Sequence, residues 1–211
     1  MKFDPKKPNI NPITADLYAG AEKIYGREKH RTYLGFSQIG KECMRALSYH
    51  FRGYSTSKLE GRILSLFQMG NLVEKEICLY LRAAGYEIKH TVLEKQNQYD
   101  DLNGFFRGSA DGMIKIKGEW MALEIKSMQS GEASSGRYLK GFKKIMADVK
   151  NGVESPYCNY SYVYYCQLHI NMKYMGVNNV LVVAYNKNNS EMYSEIIEYN
   201  EQMAIKLKEK A

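Results

Sequence analysis

At 211 residues the chain is long enough to bury a core of its own, so a disulfide framework is not needed for stability. Apolar residues make up 45% and charged ones 25%, ordinary for a globular protein, and no uncharged run approaches the roughly 20 residues of a bilayer span. The 30 basic against 23 acidic side chains give a formal charge of +7, which suits a polyanionic partner such as nucleic acid without requiring one.

The opening stretch MKFDPKKPNINP lacks the apolar core of a signal peptide, so the protein is expected in a cytoplasm. Cys43, Cys78, Cys158 and Cys166 form no CxxC pair and read as reduced thiols rather than a zinc knuckle or redox motif. The 18 tyrosines suit a basic chain, because rings beside cations stack on bases, although the same rings also serve as core and boundary residues.

In chain order, the first dozen residues are rich in Pro, Asn and Lys and predict an irregular arm. A first helix is expected over about 14–30, closing in the charged run REKHR. A second begins after Ser37 in FSQIGKECMRALSYHFRG, where the serine is placed to cap it. YSTSKLEG reads as a loop, and RILSLFQMGNLVEKEICLYLRAA predicts the longest helix, stopped by Gly85. Three strands follow in YEIKHTVLEK, FFRGSADGMIKIKG and EWMALEIKSM, the last two joined by a tight turn at Lys117-Gly118-Glu119. The Gly/Ser segment SGEASSG leads into a basic helix, RYLKGFKKIMADVK, with Arg137, Lys140, Lys144 and Lys143 toward one side. A helix in YSYVYYCQLHINMKYMG, stopped by Gly176, precedes strand NVLVVAYN, turn KNNS, strand EMYSEIIEY and a short basic tail. This order predicts an α/β fold with a central mixed sheet flanked by helices.

Ile63, Leu66, Phe67, Gly70, Val73, Ile77 and Leu81 recur at helical spacing and define an inward face of the longest helix. Glu74 falls on that face, four residues after Gly70 and three before Ile77. A carboxylate there needs a partner, which a metal ion or a lysine supplies. The pattern equally allows a small rotation that leaves Glu74 in solvent beside Lys75 and Glu76.

The stretch GSADGMIKIKGEWMALEIKS carries the densest chemistry. Successive strand residues point to opposite faces, so Glu124 and Lys126 project together while Leu123 and Ile125 enter the other layer. A hairpin brings Asp111 beside them. Two close carboxylates make a hard, oxygen-rich site for a divalent cation such as magnesium or manganese. A lysine at such a site can orient or deprotonate water, or neutralise charge on a phosphate. The other reading is a solvent-facing hairpin decorated with a Glu-Lys pair.

GSADG followed by a strand ending LEIKS resembles the active-site core of the PD-(D/E)xK nuclease superfamily, in its RecB-like branch. That branch includes phage lambda-type and CRISPR-associated RecB-like exonucleases. Three further segments match it in order. SQIGKECMRALSYHFRG resembles the Ser-to-Cys-x-Arg segment with Ser37, Cys43 and Arg45, and FQMGNLVEKEI resembles the Gly-x-x-x-Glu helix with Gly70 and Glu74. YCQLHINMKYMG resembles the helix carrying a glutamine and a tyrosine, here Gln167 and Tyr174; the usual spacing puts the tyrosine at 171, where this chain has Asn171. The residue before Asp111 is Ala110 where the motif's name has proline. The resemblance covers about residues 37–185.

It implies a restriction-endonuclease-like core, with residues 1–36 as an N-terminal arm and helix and 37–211 as a single globular nuclease domain. The implied activity is Mg2+- or Mn2+-dependent hydrolysis of DNA, exonucleolytic rather than site-specific, with no extra domain for reading base sequence in view. Asp111, Glu124, Lys126 and Gln167 would be catalytic, with Glu74, Asp111, Glu124 and the Ile125 carbonyl at the metal. Arg45, Arg137, Lys140, Lys144 and Tyr174 would hold DNA, although the basic helix also reads as a solvated face. Ser127 either donates a hydrogen bond or merely ends the strand. No cysteine follows Cys166, so the iron–sulfur cluster of some relatives is not expected. Size and Tyr-, Asn- and Lys-rich composition suggest a phage or mobile-element protein of DNA recombination, repair or degradation, acting in the host cytoplasm. Its partners would be DNA, a single-strand annealing or binding protein and further copies of itself, with no membrane. The rival readings are a catalytically inactive nucleic-acid-binding module of the same fold and a structure-selective endonuclease.

Overall fold

The computed structural model describes residues 12–26, 32–54, 59–132 and 139–211. The elements are α1 (Pro12–Tyr25), β1 (Leu34–Gly35), a 3-10 turn (Phe36–Gln38), α2 (Met44–Phe51), α3 (Gly61–Ala83), β2 (Ile88–Lys89) and β3 (Tyr99–Asp101). A second 3-10 turn (Leu102–Gly104) leads to β4 (Phe106–Gly108), β5 (Gly112–Ile116), β6 (Glu119–Met128), β7 (Ser130–Glu132) and β8 (Leu139–Gly141). The chain continues through α4 (Phe142–Lys150), α5 (Pro156–Tyr160), α6 (Tyr162–Met175), β9 (Asn179–Asn186), β10 (Met192–Glu198) and α7 (Glu201–Lys210).

The central sheet has the order β10-β9-β6-β5-β2 and is mixed, as the sequence predicts: β6 runs parallel to β9 and antiparallel to β5. Parallel neighbours need a long crossover, which here carries β7, β8, α4, α5 and α6. Both faces of β6 are covered, so Met121, Ala122, Leu123, Glu124 and Ile125 are consecutively buried. Ala122 and Met128 pack with Phe142, Ile145, Tyr157, Leu168 and Met172 of α4–α6. Met121, Leu123 and Ile125 pack on the opposite side against Val73, Ile77 and Cys78 of α3.

A three-stranded sheet, β1-β4-β3, lies on the far side of α6 and builds a third cluster: Leu34, Phe36, Ile39, Leu47 and Phe106 with Cys166 and Ile170 of α6 and Leu207 of α7. β1 precedes residue 37 and pairs with β4, so this sheet draws on both sides of the expected domain boundary. Held between two sheets, α6 is buried from Cys166 to Met172.

Several expectations change. Ser37 lies inside the 3-10 turn, and the cap of α2 is Cys43, whose sulfur accepts from the Ala46 N–H at 3.4 Å. The first turns of α3 pack on α1, where the Gly61 N–H donates to Glu22 Oε1 at 3.0 Å, so the buried face runs through Gly61 and Leu64 and leaves Leu66 exposed and Phe67 53% exposed. The strand expected over 86–95 is only Ile88–Lys89, and 90–95 bend away. The expected basic helix starts at Phe142, because Leu139–Gly141 pairs with β7 and places Lys140 on a strand. The REKHR run, Arg137 and most of the Gly/Ser segment lie outside the described residues.

His169, on buried α6, accepts from the Asn200 N–H at Nδ1 (3.1 Å) and meets the Tyr165 ring edge-on at 4.2 Å. Burial pulls its pKa down to about 4 from the usual 6.5. The unfolded chain therefore binds the extra proton, so this contribution is complete above pH 6.5 and is lost as pH falls toward 4. Urea midpoints measured from about pH 7 to about pH 4 should decline, less steeply in His169→Gln; equal slopes would contradict the assignment.

Candidate active site at an interruption of the sheet

The β5–β6 ladder stops at the pair Gly112–Leu123, while β6 continues beside β9 to Met128. Beyond Leu123 the β5 side of β6 is therefore open in the middle of the sheet. Asp111 fills the first place: its Oδ2 accepts the Ile125 N–H at 2.7 Å, standing in for the missing strand. A strand residue directs its N–H and C=O toward the same edge, so the Ile125 carbonyl also faces the gap. Gly112 makes the bend, since a Cβ there would stand 2.6 Å from Thr91 Cγ2 at a φ of 156°.

Glu124 is 1% exposed, and a buried carboxylate must be satisfied. Lys126 Nζ lies 2.5 Å from its Oε1, and Gln167 Nε2 donates to the same oxygen at 3.0 Å. Asn171, one turn further along α6, donates through Nδ2 to Oε2 at 3.4 Å. From the α3 layer comes Glu74, half-buried, whose Oε1 accepts from Gln96 Nε2 at 2.7 Å. Glu74 is thus half-buried and bonded to Gln96 rather than free in solvent.

The electrostatics are those of a negative pocket with one cation. Burial, then the Glu124 charge, raises the pKa of Glu74, against the pull of Lys126 and the Gln96 hydrogen bond. Burial and Glu124, with Glu74 adding, push Asp111 well above the carboxylate range. Burial acts to lower Lys126, but Glu124 and Asp111 outweigh it and hold the ammonium charged. Cys78, under the same carboxylates, is pushed up to about 11 by burial and by Glu74 and Asp111, so it remains a neutral thiol.

Three carboxylates against one ammonium, with hard oxygens and a backbone carbonyl facing the gap, fit a divalent magnesium-type cation in donor chemistry and in charge. Among the described residues no three acidic, histidine or cysteine side chains close around a point as a cage. Their oxygens are instead taken up by Lys126, Gln167, Gln96 and the Ile125 N–H. A cation would draw on Asp111, Glu124, Glu74 and the Ile125 carbonyl, with Glu124 loosening its hold on Lys126.

The fold thus brings together Glu74, Asp111, Glu124, Ile125, Lys126 and Gln167. Other expected residues lie elsewhere. Arg45 is exposed on α2, and Lys140 is exposed on β8. Lys144 is ion-paired with Asp148. The Tyr174 hydroxyl donates to Asp101 Oδ2 at 2.8 Å, and its ring stacks on Phe36 at 4.8 Å in the third cluster. Ser127 sits toward α3, its Oγ 3.5 Å from where a Cβ on Gly70 would be. Sequence reading missed Gln96, Asn171 and Tyr164, whose ring centroid is 5.7 Å from Lys126 Nζ. The position of Asn171 one turn after Gln167 was an available signal; Gln96, in an irregular segment, offered none.

The fold resembles the alkaline exonuclease LHK-Exo of Laribacter hongkongensis, with a TM-score of 0.53 at 14% identity, covering 92% of this chain and 87% of that one. The structure of LHK-Exo in complex with dAMP gives 0.54 at the same identity and coverage. No protein-family model matches the chain, and no curated protein is similar to it. The likeness shows the fold: a restriction-endonuclease-like α/β core of the kind the sequence predicts.

Because Asp111 is buried and is repelled by Glu124 and Glu74, its ionised form destabilises the folded state, fully so above its raised pKa and less as pH falls through it. Asp111→Asn keeps an acceptor for the Ile125 N–H and removes the repulsion. Calorimetry at about pH 7 should show the melting temperature rise by about 2–8 °C, on the order of 1–2 kcal/mol; a fall would contradict this electrostatic reading.

Proposed function

We propose that the protein is a Mg2+- or Mn2+-dependent deoxyribonuclease that hydrolyses phosphodiester bonds, working as an exonuclease from DNA ends. The observation that carries this reading is the group at the sheet interruption: Asp111 on the Ile125 N–H, with Glu124 held by Lys126 and Gln167. The fold shared with an alkaline exonuclease, one of whose structures holds dAMP, supports it.

Asp111 and Glu124 would hold the cation, with Glu74 and the Ile125 carbonyl completing its oxygen shell. When bound, the cation polarises the phosphate and lowers the pKa of water. Lys126 would aim the attacking water and offset charge growing on the phosphate. Gln167 and Asn171 fix Glu124 from α6, so that its carboxylate is preorganised when Lys126 turns toward substrate. Arg45 and Lys140 are exposed and suited to sequence-independent backbone contacts, with Arg137 in the same role. Lys144 and Tyr174 already have partners in Asp148 and Asp101, so they would contribute less. A phage or mobile-element role in recombination or degradation, cytoplasmic location, a single-strand annealing or binding partner and self-association complete the reading.

End-labelled linear DNA and closed circular DNA, incubated with Mg2+ or with chelator, test it. Linear DNA alone should be consumed, only with metal, and Lys126→Ala should slow cutting by about 10²–10⁴-fold. Equal attack on both forms would remove the exonuclease assignment in favour of an endonuclease. Metal-independent binding without cutting would indicate an inactive binding module.

A further inference from the structure

We propose that the C-terminal end of α2 docks an unpaired nucleotide of single-stranded DNA, with Tyr49 and Tyr54 as stacking faces and Arg52 as the phosphate partner, an inference that rests on the nuclease reading for the identity of the polymer. The local sequence builds the site. Gly53 adopts a left-handed φ of 75°; its N–H donates to the His50 carbonyl at 3.2 Å, and the Tyr54 N–H donates to the Tyr49 carbonyl at 3.0 Å. This is the hydrogen-bond pattern of a Schellman stop, which folds the chain back over the last turn of the helix. Tyr54 is thereby returned beside Tyr49, ring centroids 5.8 Å apart at 70°.

Rings meeting edge to face leave flat surfaces uncovered, and Tyr49 and Tyr54 are 53% and 63% exposed. Together with Ala46, His50 and Arg52 they line an open surface hollow of about 750 Å³. His50 is joined to Gln38 at 2.6 Å, which ties this turn to the 3-10 segment beneath it. Among the described residues no acidic side chain lines it, and Arg52 is exposed. An arginine beside two open aromatic faces matches the chemistry of a nucleotide, ring on ring and guanidinium on phosphate. The match is to a single strand, because a tyrosine face needs an unstacked base, whereas a duplex offers only its backbone and groove edges.

Leu47 anchors α2 in the cluster that holds Leu34 and Phe106, and the strand of Phe106, β4, runs on toward Asp111. Arg45, on the same helix, offers a second phosphate contact along such a path.

Fluorescence anisotropy with a short labelled oligothymidylate, in chelator so that no cutting occurs, tests the proposal. Tyr49→Ala and Tyr54→Ala should each weaken single-strand binding by roughly 5- to 100-fold, Tyr49→Phe should restore it, and binding to a blunt duplex should change little. Parent-like affinity in both alanine variants would overturn the proposal, as would equal losses for single strand and duplex that phenylalanine fails to restore. Normal binding by the alanine variants in a protein that cuts DNA would remove the patch and leave the nuclease reading. Ring-dependent binding without metal-dependent cutting would support the patch and remove that reading.

Discussion

The structure turns on the end of one ladder. β5 stops opposite Leu123 while β6 runs on, so a central strand that is buried on both faces has an unpaired edge at Glu124–Lys126. An open edge inside a sheet leaves backbone groups unsatisfied, and the Asp111 side chain takes the Ile125 N–H that a strand would have taken. The same interruption lets groups from both helical layers meet, Glu74 from α3 and Gln167 and Asn171 from α6. A complete β5 would pair the edge and close the gap through which they approach.

What the interruption collects is electrostatically unfavourable as it stands. Glu74 and Asp111 are raised by burial and by the Glu124 charge between them, and the ammonium that offsets them is that of Lys126. An arrangement that costs stability and persists is characteristic of sites that take up a charged ligand. α6 makes it rigid. The helix is buried between two sheets, and among the described residues its own His169 Nε2 and Asn171 Oδ1 have no hydrogen-bond partner.

Legibility in the sequence follows the range of the signal. β6 is readable because alternation puts Glu124 and Lys126 on one face, and Asp111 because a hairpin with a tight turn lies between them. Glu74 stands out as a charge on an apolar helix face, and that face is correct around Val73 and Ile77 but wrong at Leu66 and Phe67. There the partner is α1, a non-local contact that periodicity does not encode. Lys140 reads as helical because its strand exists only by pairing with β7. The i, i+4 spacing of Lys144 and Asp148 is in plain view, yet basic charge reads first as a free surface. Tyr174 and Asn171 exchange the expected arrangement: the tyrosine packs in the third cluster and bonds to Asp101, and the asparagine at the usual tyrosine position reaches Glu124.

If the sheet interruption is the metal-binding centre of the proposed nuclease, anomalous scattering from crystals soaked in Mn2+ tests it most directly. The expected result is a peak about 2.1–2.3 Å from carboxylate oxygens of both Asp111 and Glu124, beside the Ile125 carbonyl, with Lys126 released from Glu124. Crystals that take up Mn2+ only elsewhere, with the Lys126–Glu124 pair intact, would contradict it.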